Sequence, residues 1–506
     1  MCGGTKRGGR MIEKRIAYFV SKWLLHQQVV DGAWMLAEKG YVVDLFLYQT
    51  SSDFHKMKNH PNIHIHDFTL DKKENKIFSW DNVKLFSKDY LDILNENKKI
   101  VVFGTGQRAQ ELIGVFPINI AYYVDNDSGK WGTSFLGKKV YAPDELIKEE
   151  SSNLYILIAS MYHMEIEKQL NDTGFEKDLN VVYNATEIVE QFIFFEHVIK
   201  KSKEIIEKYR YSTFIGVEKF GLIWAGMLAE EFNIPYIYHS LELYTSDHPR
   251  WSHSKFQFLL QLEAIYHQKA IATIIQDESR KNVLFSEHRI ENGQPLYVTI
   301  SILDEKLPIN KKQFWHEKFN IPIHKKIILL LSIIAPTRYC KELVQASQHL
   351  SDEFQIIIQG PIFDEKYYNE LKASDRNKKV ILSTEIYSEE HLQAMILSAD
   401  IGLAFYHSNP INDRLTPYSS EKIARYLQAG LPIITFDYDE YKKMFEDLNC
   451  GRYIDREFDN FPIALGDICD NYENYSKSAK EAFVKSYDYQ KQFKKVIDFI
   501  EELTYM

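Results

Sequence analysis

Ser419-Ser420-Glu421-Lys422 opens an amphipathic stretch that stops at Gly430, just before Pro432. Serine is a preferred residue at a helix start, where free backbone N–H groups attract phosphate. A lysine in the first turn opposes the helix dipole. A diphosphate bound there would remove that penalty, and an ordinary capped helix with a solvated lysine explains the same residues. A second constellation is Gly104-Thr105-Gly106-Gln107-Arg108-Ala109, directly after an apolar run at 99–103, with the run at 120–124 ending in Asp125-Asn126-Asp127. Glycines that let a phosphate approach, followed about 20 residues later by an acid for a ribose, suit a nucleotide. The signature suits NAD as well, and a structural or regulatory role is the first account of it, ahead of either ligand.

Other candidates carry less. His64 and His66 alternate along a strand pattern without a third ligand nearby, so they read as surface histidines. Asp437-Tyr438-Asp439-Glu440 reads as a solvated loop. The aromatic run at 192–195 reads as core, because no basic stripe accompanies it. The four cysteines, Cys2, Cys340, Cys450 and Cys469, form no C-x-x-C pair, so neither zinc nor a disulfide framework is implied and the cytoplasm is the expected compartment. A net charge of −10 argues against a broad nucleic-acid surface. No stretch reaches the roughly 20 apolar residues of a membrane span. Residues 1–10 are Gly-rich and basic and read as a leader or an added extension, with Met11 as the natural start.

The elements that must position these residues follow from the alternation of short β-branched runs with longer helical patterns, which marks parallel α/β domains. Strand patterns at 15–20, 42–48 and 62–68 open a first lobe, and the pattern resumes at 188–209 (helix), 213–217, 235–239 and 272–276. Between them, about 90 residues form a compact βαβ unit of their own. An irregular stretch at 292–308 reads as the linker. A second lobe has strands at 326–333, 355–359, 380–383, 401–406 and 432–436, and the chain closes with a helix at 489–503. The expected boundaries are 1–95 and 188–305 for the first lobe, 96–187 for the inserted domain, 306–488 for the second lobe and 489–506 for the closing helix.

Asp400 to Tyr406, Ser419 to Lys422, and Tyr426-Leu427-Gln428-Ala429-Gly430-Leu431-Pro432-Ile433-Ile434 resemble the donor-binding half of GT-B glycosyltransferases near the family-4 group. Those enzymes show an aspartate-led strand, a Ser-x-x-Lys helix start and a Tyr-Leu-x-x-Gly-x-Pro-x-Ile exit. Ser332 to Arg338 is similar to the family's first C-lobe loop, where a basic residue faces the donor phosphates. Ile234 to Tyr244 is similar to its cleft-lining N-lobe strand and loop. The resemblance implies two facing Rossmann-like lobes with a third Rossmann-like domain inserted in the first. It implies a donor site of Arg338, Gly360, Tyr387, Ser419, Ser420, Glu421 and Lys422, with Glu242 or His239 acting on the acceptor. The family's pair of glutamates eight positions apart falls at Pro417 and Arg425 and is absent, and Ile333 stands where a first-loop arginine is usual.

Within the insert, Phe103 to Gly106, Val124 to Asp127 and Lys130-Trp131-Gly132 resemble the N-terminal domain of bacterial sugar O-acyltransferases. That likeness implies a nucleotide-linked sugar at Gly104, Gly106 and Asp125. The expected function is transfer of a sugar from a nucleotide diphosphate donor to a hydroxyl of a glycan or lipid-linked glycan. No metal or other cofactor and no nucleic acid is expected, and peripheral membrane contact stays open. Two alternatives remain. A non-catalytic nucleotide-sugar sensor or assembly subunit is supported by the missing glutamates. An NAD-dependent nucleotide-sugar enzyme would need a Tyr-x-x-x-Lys or a cysteine in the insert. Tyr418 and Lys422 have that spacing but lie in the second lobe.

Overall fold

The computed structural model describes residues 14–21, 26–48, 60–69, 99–110, 119–175, 182–245, 254–302, 313–387 and 389–505. The N-terminal lobe is built on β1 (Arg15–Ser21), whose seven residues are all buried, as befits a parallel strand covered on both faces. On one side lie β2 (Val42–Tyr48) and β3 (Ile63–Asp67). The inserted sheet comprises β4 (Lys99–Phe103), β5 (Ile120–Val124), β6 (Ser134–Phe135), β7 (Lys138–Tyr141), β8 (Leu154–Ile158) and β9 (Val182–Asn184). The first sheet then continues through β10 (Thr213–Val217), β11 (Tyr236–His239), β12 (Ala272–Ile275) and β13 (Pro295–Tyr297).

The N-lobe order is β13-β12-β11-β10-β1-β2-β3, parallel throughout. The C-lobe contains β14 (Lys326–Leu331), β15 (Phe354–Gln359), β16 (Val380–Ser383), β17 (Ile401–Leu403), β18 (Ile433–Phe436) and β19 (Gly451–Ile454), in the parallel order β16-β15-β14-β17-β18-β19. Both sheets reverse direction of winding once, between β1 and β10 and between β14 and β17. Such switch points open a crevice at the carboxyl ends of the strands. The third sheet runs β6-β7-β5-β4-β8-β9 and is parallel except for the β6–β7 hairpin.

The structure adds elements to the expected set and moves others. The stretch expected to be irregular at 292–308 contains β13. Asp439 and Glu440, expected in a solvated loop, form the first turn of helix Asp439–Leu448, where acids suit the dipole. The strand expected over 401–406 ends at Leu403. β19 and helices Phe461–Asp470 and Tyr472–Ala482 complete the C-lobe.

The insert does not have a core wholly its own. Along β4, Val101 and Phe103 pack outward into the insert's separate cluster with Ile156 and Ile166. Ile100 and Val102, on the other face, join Tyr155 and Leu157 in one continuous core with Phe194, Phe195, Val198 and Trp224 of the N-lobe helices. Helix Ala185–Ile206 starts at the end of β9 and packs on N-lobe helices Glu218–Phe232 and Ser254–Lys269. The closing helix Tyr489–Tyr505 leaves the C-lobe and buries Tyr489, Phe493, Val496, Ile497 and Ile500 in the N-lobe.

Candidate active site

The two switch points face each other across a cavity of about 620 Å³. His26 and Gln28 line it from the β1 exit, and Glu242 and Tyr244 from the β11 exit. Arg338 comes from the β14 exit, and Tyr406 and the segment to Lys422 from beyond β17. Arg338 ends a short 3-10 turn, Pro336–Arg338. Its guanidinium is fixed by Asp413 at 2.5 Å and lies 5.5 Å from the Tyr406 ring. The Lys422 ammonium lies 4.6 Å from the centre of the same Tyr406 ring. Burial, reinforced by the Arg338 charge, pushes Lys422 down to about 7. Two basic side chains, one of them paired with Asp413, thus stand at one wall of the cavity, where an anion would favour the charged form of Lys422.

Helix Glu421–Ala429 begins one residue later than the serine pair suggests. Ser420 is its N-cap residue, but its hydroxyl meets the Tyr406 hydroxyl at 2.5 Å and makes no capping bond. In its first turn the Ile423 N–H donates to the Ser420 carbonyl at 3.1 Å, which leaves the N–H groups of Glu421 and Lys422, both cavity-lining residues, ahead of the helix ladder. Ser419 is engaged elsewhere: its hydroxyl donates to the Leu415 carbonyl at 2.8 Å and accepts from Arg280 at 3.0 Å. Glu421 lines the cavity, and its Oε1 accepts from Arg425 Nε at 2.8 Å.

Glu242 faces these cations from the N-lobe. Its own backbone N–H and that of Leu241 donate to Glu218 Oε1 at 2.8 and 2.6 Å. Glu218 adopts φ 57°, a left-handed conformation unusual outside glycine, and this aims its carboxylate at the loop. The C-lobe completes the arrangement. Asn412 Nδ2 donates to Glu242 Oε2 at 2.7 Å, while Asn412 Oδ1 accepts from Leu243 N–H at 2.8 Å and from Arg280 at 2.9 Å. Arg280, only 1% exposed, also donates to the carbonyls of Leu241 and Leu415. It thereby pins the two lobes together. Burial and the Glu218 carboxylate raise the Glu242 carboxyl above its ordinary value, against the opposing pull of Arg280 and the Asn412 hydrogen bond. A carboxyl so raised is suited to accept a proton from a hydroxyl.

Several expected residues are not at the cavity. His239 is 2% exposed at the end of β11, and burial, helped by His26, holds its imidazole neutral with a value near 3. It is not among the residues that line the cavity. Gly360 is required by backbone crowding: a Cβ there would lie 2.1 Å from the Ser332 carbonyl oxygen. Tyr387 bonds Glu385 and packs edge-on to Phe314 away from the cavity. In the insert, Asp125 is already satisfied. It accepts from the Thr105 N–H and hydroxyl, from Lys130 and from the Asp127 N–H. Although burial alone would raise it, these partners hold its carboxyl below the ordinary range. Gly104 (φ 110°) is needed because a Cβ would meet the Ala159 carbonyl at 2.7 Å, whereas Gly106 is exposed with open space around it. His64 and His66 are not free surface groups: they stand 3.4 and 2.8 Å from the buried Asp44 carboxylate. No group of residues able to hold a metal occurs among the described residues.

Sequence reasoning missed Arg280, Asn412, Asp413, Glu218, His26 and Gln28. A single arginine or asparagine in a loop carries no periodic signal. Only Asp277, which caps helix Glu278–Glu287 through the Arg280 N–H at 2.9 Å, could have drawn attention to that turn.

A family model described as "C2185-like, N-terminal" matches residues 96–179, the inserted sheet. That match does not support the expected acyltransferase resemblance. No curated protein matches the chain by sequence. Among solved structures, Anabaena HepE in complex with UDP aligns at a TM-score of 0.51 and 11% identity, covering 80% of this chain and 100% of that one. A mutant of S. aureus TarM in complex with fondaparinux, α-GlcNAc-glycerol and UDP aligns at 0.52 and 10% identity, covering 97% and 100%. Both neighbours are GT-B glycosyltransferases. At these identities the likeness shows the fold: this chain has the two-lobed GT-B architecture, with a third Rossmann-like sheet carried by its N-terminal lobe.

Proposed function

We propose that this chain is a glycosyltransferase that moves a sugar from a nucleotide diphosphate donor to a hydroxyl of a glycan or lipid-linked glycan. The observation that carries the reading is the opposition, across one cavity, of an anion site and a carboxyl of raised pKa. Arg338, Lys422 and the first-turn N–H groups of helix Glu421–Ala429 form the first, and Glu242 the second. The bond between the anomeric carbon and the diphosphate oxygen breaks as the acceptor oxygen bonds to that carbon. The charge gathering on the diphosphate is met by donors already in position, so no metal is needed. Glu242 orients the acceptor hydroxyl or takes its proton. Asp125 being fully bonded supports a structural role for the insert, which steadies the N-lobe through their shared core. UDP is the first nucleotide to try, because the HepE and TarM structures contain it. Cys340, Cys450 and Cys469 as free thiols fit a cytoplasmic setting, and no described helix is long and apolar enough to cross a membrane.

The test compares wild type with Glu242→Gln. Calorimetry measures UDP and GDP binding, and release of free sugar from UDP- and GDP-sugars measures turnover with water as acceptor. Glu242→Gln should keep nucleotide affinity and lose roughly 10²–10⁴ in turnover. Failure of the wild type to bind any nucleotide would overturn the reading, and equal turnover would remove Glu242 from it. A second reading, a non-catalytic sensor, draws on Glu421 being held by Arg425 at the very position of the missing family glutamate. It predicts nucleotide-sugar binding without sugar release.

A further inference from the structure

Among the described residues that line the cavity, Gln28 is the one whose side-chain orientation is fixed by chemistry and yet is half unused. It sits in the first turn of helix Gln27–Glu38, beyond the β1 exit, and is 1% exposed. Its Nε2 donates to the Ser301 carbonyl at 2.7 Å. A backbone carbonyl can only accept, so the amide cannot be flipped: the nitrogen must face Ser301 and the oxygen must face the other way. That oxygen, Oε1, has no partner. The residue is held from behind as well, because the Tyr489 hydroxyl of the closing helix donates to the Gln28 carbonyl at 2.5 Å.

A buried amide oxygen without a donor is costly, and a site that keeps one has a use for it. Oε1 offers two lone pairs and no proton, so its partner must be a donor. Phosphate oxygens are excluded, since they would only repel it. The opposite wall, with Arg338 and Lys422, already supplies the phosphate contacts. Gln28 also lines the cavity, so a group bound there is the partner the structure offers it. Next to a diphosphate, the hydroxyl donors are those of the transferred sugar and of the ribose, and comparing nucleotide-sugar with bare nucleotide tells them apart.

We infer that Gln28 is a binding residue for the transferred sugar, its Oε1 accepting a hydrogen bond from one sugar hydroxyl. This rests on the donor-site reading above and names a contact within it. Three elements build the contact: the β1 exit supplies the side chain, the interlobe linker at Ser301 turns it, and the closing helix holds its backbone.

The experiment uses the full chain, with UDP, UDP-glucose, UDP-galactose, UDP-N-acetylglucosamine, GDP and GDP-mannose as calorimetric probes. Wild type should bind at least one nucleotide-sugar more tightly than its bare nucleotide. Gln28→Leu, similar in size but without the amide, should weaken that nucleotide-sugar about five- to tenfold and leave the bare nucleotide within twofold. Unchanged nucleotide-sugar affinity in Gln28→Leu overturns the inference, as does a wild type to which the sugar adds no affinity. If Gln28→Leu loses the bare nucleotide too, single-deoxy analogues of the preferred donor on wild type decide the matter. Loss of about five- to tenfold for one hydroxyl supports the contact, and losses below twofold for every hydroxyl overturn it. Failure of the donor-site reading looks different, because then no bare nucleotide binds the wild type at all.

Discussion

At Lys422, solvation and function pull in opposite directions. Burial and Arg338 lower its ammonium to about 7, so in the free protein it is losing its proton near neutral pH. A diphosphate favours the charged form. Binding above pH 7 must therefore take up a proton, and nucleotide affinity must fall as pH rises through and beyond 7. Calorimetry of UDP binding in HEPES and in Tris would measure that uptake from the difference in enthalpy. Lys422→Ala should abolish the uptake and weaken binding by about 1.5–3 kcal/mol; an unchanged affinity would remove Lys422 from the site. The insert offers a contrast at the same scale. Gly104→Ala puts a Cβ against the Ala159 carbonyl in a backbone conformation that side chains rarely adopt. It should lower the melting temperature, whereas Gly106→Ala, with open space around it, should not.

The short helix Ile411–Arg414 links the two halves of the proposed site. Its Asn412 reaches Glu242 in the N-lobe and its Asp413 holds Arg338 in the C-lobe. A shift of this one turn would disturb the proton acceptor and the anion site together. Asn412→Ala removes a hydrogen bond that favours ionised Glu242, so the Glu242 carboxyl should rise further. The acidic limb of the pH–turnover profile should move to higher pH, and turnover at neutrality should drop about tenfold. A profile that keeps its midpoint would mean Asn412 only packs the interface. At helix Glu421–Ala429, the neutralising donors are all supplied by the chain, so sugar release should persist in excess chelator. Loss restored by magnesium or manganese would contradict that expectation.

Across the whole molecule, continuity of the core governs what can be removed. Five side chains of the closing helix are 2% exposed or less within the N-lobe. Burying each is worth roughly 1.5–3 kcal/mol, on the scale of a domain's entire stability. Removing residues 489–506 should leave the N-lobe unfolded or insoluble, read by circular dichroism and soluble yield. Excising the insert should also be harmful, although its entry and exit lie in one crossover of the N-lobe sheet. Ile100, Val102, Tyr155 and Leu157 cover Phe194, Phe195 and Trp224, which would otherwise face water. A deletion protein as stable as wild type would show that this shared core adds nothing to the N-lobe.

The alternation of short β-branched runs and longer amphipathic segments was enough to read the two lobes and most of their strands, because period and length are local properties. β2, β4, β5, β10 and β16 have the bounds their runs of apolar residues suggest. The Ser-Ser-x-Lys helix start was legible for the same reason, since a helix start leaves a local trace, whereas Arg338 was reached through a resemblance and lies at the cavity. Glu242 was found through a resemblance and lies at the cavity, whereas His239, three residues earlier, is buried: a strand's last residue and its loop differ in exposure although they are neighbours in sequence. Arg280, Asn412 and Gln28 could not be read that way. Each works through partners more than 100 residues distant, such as Arg280 with Ser419 and Gln28 with Ser301. Asp125 shows the converse, a residue of the right type in the right motif whose lone pairs are spent on Thr105, Asp127 and Lys130. Local pattern was thus enough for most strands and helices and for the α/β class, though not for the short β13 and β19. Only the tertiary structure decided which polar atoms are satisfied within the fold and which remain open to a ligand, because hydrogen-bond satisfaction depends on neighbours in space.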